Sequence, residues 1–144
     1  MSSGKYESLQ DSFKNEILEI SKKNKVILIY PIPEVGWDVP NKIWINRKNK
    51  LFSDPNLKNI TTSFQVYKDR TKSSFEMLDS ILGENIFRVY PHKLFCDTSI
   101  KNRCITHDKD NIFYYDSNHP SLKGAEMIND LILEEIEKIE LKFE

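Results

Sequence analysis

The stretch YYDSNHPSLKGAEMI, residues 114–128, carries an aspartate and a histidine three positions apart, Asp116 and His119, in a loop just ahead of a helical pattern. A carboxylate held against an imidazole fixes its tautomer and favours the imidazolium, so that the ring can take a proton from a nucleophile and later return it. Pro120 and Ser121 suit a helix start, and Gly124 lets that helix pack closely against a neighbour. From residue types alone, a surface histidine beside a turn-forming aspartate is the commoner explanation of such a pair.

Cys96 and Cys104 are the only cysteines. Their spacing suits a small disulfide-closed loop, which in the chain-entropy model contributes roughly 2–3 kcal/mol; two unrelated buried thiols are the alternative. A metal site from Cys96, Cys104 and His107 is disfavoured, because no pair has the close spacing of zinc ligands. Asp79 and Ser80 in EMLDSILG imitate an Asp-Ser nucleophile block, but they sit in a helical pattern with no strand before them. A serine nucleophile of that kind must be exposed at a strand end. Trp37 and Trp44 suit either a wall for a sugar ring or anchors of a long loop, and the basic residues between Lys42 and Lys50 are most simply a solvated face.

The elements that position these residues are legible from periodicity. Leu9, Phe13, Ile17, Leu18 and Ile20 predict a helix from about 7 to 23, running into the apolar strand VILIY at 26–30. IFRVY at 86–90 repeats that strand. Each run is followed by a proline, and each reads as a parallel strand covered on both faces. Between them, the proline-rich stretch 31–59 is expected to be a long loop with short helical pieces. Thr62 or Ser63 is expected to cap a helix whose stripe is Val66, Phe75, Leu78, Ile81 and Leu82 and which ends at Gly83. The runs 104–106 and 112–115 flank a turn and predict a small hairpin. A final helix from about 121 to 141 places Leu122, Ala125, Ile128, Leu131, Ile132, Ile136 and Ile139 on one face.

The chain has 144 residues, 39% hydrophobic, 11% aromatic and 30% charged, which suits one globular domain spanning 1–144. A net charge of −1 provides no field to attract a nucleic-acid backbone or an anionic membrane, so neither partner is expected. No run is long enough to span a membrane, and no signal-peptide pattern is present.

DSNHPSLKGA resembles the closing block of the SGNH hydrolase superfamily. YPIPEVGWDVP after the first strand, together with the run from LFC through NRC to IFYYDSNHPSLKGA, resembles the extracytoplasmic SGNH domain attached to membrane O-acyltransferases of the acyltransferase 3 family. The resemblance implies a three-layer α/β/α, flavodoxin-like fold around a doubly wound parallel sheet, with the dyad loop at the carboxyl ends of the strands. It implies Asp116 and His119 as catalytic residues and acyl transfer or hydrolysis, of acetyl groups above all, on cell-surface polysaccharide. The partners it implies are a carbohydrate acceptor and a membrane acyltransferase domain that supplies the acyl donor. It implies no cofactor and no metal. A Cys96–Cys104 disulfide fits the oxidising, extracytoplasmic side of the membrane, where the parent protein is expected to act.

That family places its serine in a GDS block and builds its oxyanion hole from a GxND block. Gly4, Gly36, Gly83 and Gly124, the four glycines here, stand in neither setting. The chain is therefore expected to be the back portion of the domain, a fragment or truncated product without activity alone. An open sheet edge, and a homodimer across it, are expected in consequence. A non-catalytic carbohydrate-binding or scaffold remnant, and a fragment of a stand-alone SGNH esterase, are the alternatives.

Overall fold

In a computed structural model, which describes residues 3–48 and 60–143, helices and short strands alternate along the chain. Helix α1 (Ser3–Ser21) leads into β1 (Val26–Ile29), followed by α2 (Val39–Lys48). Then come β2 (Thr61–Ser63), α3 (Phe64–Asp79) and β3 (Ile86–Val89). A single turn, α4 (His92–Phe95), precedes β4 (Arg103–Ile105) and the long α5 (Leu122–Phe143). The chain is of the α/β class. Part of the proline-rich stretch, 49–59, lies outside the described residues.

β1 and β3 pair in parallel, Val26 opposite Ile86 and Ile29 opposite Val89. Leu28, Tyr30, Leu78, Ile81 and Ile86 form one buried cluster, with Phe75 packed against it, so α3 covers one face of this pair. The second face of β1 is less complete than its apolar run predicts, since Ile29 is 49% exposed. Val26 and Tyr30 donate their N–H groups to Asn85 and Val89 on the β3 side. The period of two then directs the backbone groups of Ile27 and Ile29 to the other edge. No strand among the described residues pairs there.

A second pair, β2 with β4, is antiparallel. Arg103 pins it, its guanidinium donating to the Thr61 hydroxyl at 2.8 Å and to the Thr61 carbonyl at 2.7 Å. This pairing replaces most of the predicted hairpin. The run at 104–106 turns to β2, and only the isolated bridge His107–Ile112 joins the two halves that flank the turn. Beside it, the peptide of Ile60 is clamped at both ends: its N–H donates to His107 Nε2 at 3.1 Å, and its carbonyl accepts from the Thr106 hydroxyl. His107 Nδ1 lies 2.8 Å from the Asp108 carbonyl.

Three helix stripes differ from expectation. On α3, Ser63 caps the helix by accepting from Val66 N–H, but Val66 is exposed and Tyr67 is buried in its place. Tyr67 can go inside because its hydroxyl donates to the Pro31 carbonyl at 2.6 Å. Leu82, beyond the helix end, and Leu122, at the start of α5, are both exposed. On α1, Ile17 and Leu18 pack against the cluster around Leu28, while Leu9, Phe13 and Ile20 are exposed.

A further cluster of Val35, Val39, Ile43, Phe95, Phe113 and Tyr114 lies beneath the segment after β1. Trp37 packs against it as an anchor, whereas Trp44 is exposed. Cys96 and Cys104 are joined by a disulfide with Cα atoms 3.8 Å apart, buried against Tyr67. With both sulfurs in that bond, neither can ligate a metal. Among the described residues no group of histidines, cysteines and carboxylates could hold one, and no helix is long and apolar enough to cross a membrane.

Candidate active site

The residues that lead into the Asp116–His119 loop are fixed first. Phe113 and Tyr114 are buried, and the Tyr114 hydroxyl, its pKa raised by burial, donates to the Pro33 carbonyl at 2.8 Å. The far side is fixed by α5. Ser121 Oγ accepts from Gly124 N–H at 3.1 Å and donates to the Ile112 carbonyl at 2.6 Å, so one hydroxyl caps the helix and ties it to the strand-like segment before the loop. Gly124 is required by space here. A Cβ built on it would stand 2.2 Å from the Phe113 carbonyl oxygen.

Between these anchors the loop closes on itself, Tyr115 N–H donating to the His119 carbonyl at 2.8 Å. The segment after β1 binds it from outside: Val35 N–H donates to the Ser117 carbonyl at 2.8 Å, and Val39 N–H to the Asp116 carbonyl at 3.3 Å. Asp116 Oδ1 accepts the backbone N–H groups of Asn118 and His119, each at 2.9 Å, the side-chain turn that makes aspartate common in loops. Its other oxygen, Oδ2, lies 2.7 Å from His119 Nδ1.

The Asn118 and His119 N–H groups, and then the imidazole, hold the Asp116 carboxyl down at about 2 from its usual 3.8. An ionised Oδ2 calls for a proton on Nδ1, which leaves the lone pair of His119 Nε2 pointing away from the carboxylate. Nε2 has no partner among the described residues, and the His119 side chain is 69% exposed. Chemically, the pair is an oriented imidazole able to take up and return a proton at Nε2.

Asp116 and His119 are thus brought together, and Cys96 and Cys104 are bonded to each other. Asp79 and Ser80 close α3: Asp79 accepts from the Tyr30 hydroxyl and Ser80 donates to the Met77 carbonyl, so neither is presented as a nucleophile. One lined space went unread in the sequence. Between the segment after β1 and α3 lies a cavity of about 300 Å³ bounded by Glu34, Tyr67, Arg70, Thr71 and Ser74 with Pro31 and Ile32.

No curated protein and no solved structure matches the chain at a significant level. A family model, the SGNH domain fused to AT3 domains, matches residues 2–134. A match over nearly the whole chain identifies this protein as a member of the SGNH domain family found fused to AT3 domains.

Proposed function

We propose that this domain takes part in acyl-ester transfer or hydrolysis, with acetyl groups of cell-surface polysaccharide as the substrate and an AT3 membrane acyltransferase as the source of the acyl group. The observation that carries the proposal is the 2.7 Å contact between Asp116 Oδ2 and His119 Nδ1, in a chain of this family. His119 Nε2 takes the proton of a serine hydroxyl as the oxygen attacks the acyl carbon, then returns it to the leaving oxygen. Asp116 holds the ring and stabilises the imidazolium. No Gly-Asp-Ser sequence occurs in these 144 residues, so the nucleophile and the oxyanion donors come from outside them.

The same proposal completes a three-layer fold by adding parallel strands along the free edge of β1, and it puts the domain on the extracytoplasmic side of the membrane, where the buried disulfide is stable. Without the added strands, that edge pairs with a second copy of the chain. The test is hydrolysis of a chromogenic acetyl ester by the chain alone and joined to a serine-bearing front portion. Activity is expected only in the joined form, and His119→Ala should lower it by about 10³-fold or more. Retained activity in the joined His119→Ala form would refute the assignment of His119. Activity of the chain alone that disappears in His119→Ala would reveal a nucleophile inside it.

A further inference from the structure

We infer that the cavity between the segment after β1 and α3 is the seat of a neutral sugar ring of the acceptor, with Glu34 and Arg70 as the residues that select it. This inference rests on the acyl-transfer proposal above for its biological sense, but the cavity stands on its own geometry. Tyr67, Arg70, Thr71 and Ser74 follow the spacing of one helix face, and Pro31, Ile32 and Glu34 form the opposite wall. The walls are joined where the Tyr67 hydroxyl donates to the Pro31 carbonyl, so the seat is pre-formed. One residue beyond Glu34, Val35 donates to the Ser117 carbonyl of the loop that carries His119. A ring held here is therefore bound by a segment hydrogen-bonded directly to the dyad loop.

The lining matches a sugar better than other ligands. At about 300 Å³ the space is at the small end of ligand sites, enough for one ring rather than an extended chain. Pro31 and Ile32, both half-buried, offer apolar surface for the C–H face of a pyranose. Glu34 and Arg70 offer an acceptor and a donor for neighbouring hydroxyls. The Thr71 hydroxyl donates to the Tyr67 carbonyl and keeps lone pairs to accept, and Ser74 has no partner among the described residues. The charges decide between neutral and acidic sugars. Glu34 Oε2 lies 3.9 Å from Arg70 Nη1, so the lining has one charge of each sign and the guanidinium is already faced by a carboxylate. A uronic acid or phosphorylated sugar would set its own anion against Glu34.

The experiment is titration of the full isotope-labelled chain, followed by amide shifts, with methyl glucopyranoside, methyl galactopyranoside and methyl mannopyranoside, each beside methyl glucopyranosiduronate. At least one neutral glycoside is expected to give saturating shifts at Ile32, Glu34 and residues 67–74, and the uronate weaker ones. Arg70→Ala and Glu34→Ala are each expected to weaken binding about tenfold with the rest of the spectrum unchanged. Glu34→Gln is expected to reverse the preference towards the uronate, which mere structural damage would not do. Shifts centred elsewhere, a wild-type preference for the uronate, or no saturating shift with any neutral glycoside would each overturn the inference. Binding is read without an acyl donor, so glycoside binding in a protein whose His119→Ala form keeps its ester activity would refute the dyad and leave the seat standing.

Discussion

The loop around Asp116 and the edge of β1 that faces away from β3 are both exposed, yet only the loop has its backbone groups partnered among the described residues. In the loop, the N–H groups of Tyr115, Asn118 and His119 and the carbonyls of Asp116, Ser117 and His119 all have partners within the chain. At the edge, the groups of Ile27 and Ile29 point away from β3, and Ile29 exposes half of its surface. Exposure therefore means two different things in one molecule. In the proposed role, a proton carrier must be open to its substrate while the groups that orient it are occupied. A strand edge that no strand among the described residues pairs with is open in the sense that it can take up another strand.

The comparison is broken most severely at Gly124. Gly124→Ala puts a methyl group into the Phe113 carbonyl, and destabilisation of about 1–3 kcal/mol is expected, read from urea unfolding. A value near zero would mean that α5 is not seated as described and that the loop is looser than its hydrogen bonds suggest. Next is Tyr114→Phe, which leaves the Pro33 carbonyl without its buried donor and should cost about 1 kcal/mol by the same measurement.

A smaller effect follows from acid. Because the folded Asp116 pKa is depressed to about 2 from 3.8, its ionised form contributes stability that is fully present above pH 3.8 and is lost as the pH falls through about 2. Asp116→Asn should remove that part of the acid dependence by lowering stability at neutral pH towards its acid value, so that the two proteins converge as the pH falls through about 2. An acid limb identical in both proteins would show that the two N–H contacts do not persist in solution. The smallest effect is expected at the edge. Ile29→Lys should alter unfolding by less than about 0.5 kcal/mol while lowering any self-association measured by sedimentation. A larger loss would show Ile29 to be packed already, and the contrast would fail.

What the sequence disclosed divides along the same line. The dyad was legible because its determinants are local: a carboxylate three residues from an imidazole, then Pro120, Ser121 and Gly124 at a helix start. β1 and β3 were legible as apolar runs. β2 was not, because Thr61–Ser63 shows no apolar alternation and its partner, Arg103–Ile105, is distant in sequence. The stripe of α3 was misread by one position because Val66 is the more apolar residue. Tyr67 is buried instead, through a hydroxyl bond to Pro31 that no periodicity records. On α1 the period was right, but period says only that a helix has an apolar face and not what covers Leu9, Phe13 and Ile20. The cavity of Glu34 and Arg70 was invisible for a similar reason, since its two walls meet only in the fold.

The clamp on Ile60 also settles where a proton sits. An N–H can be accepted only by a ring nitrogen that carries a lone pair, so His107 Nε2 is bare and the hydrogen resides on Nδ1, shared with the Asp108 carbonyl. Both nitrogens are then engaged with backbone, and the ring is held as a single tautomer in a buried position. In a nitrogen-15 spectrum this imidazole becomes a built-in standard: its two resonances mark a fixed bare and a fixed protonated nitrogen, against which the ring of His119 can be read directly.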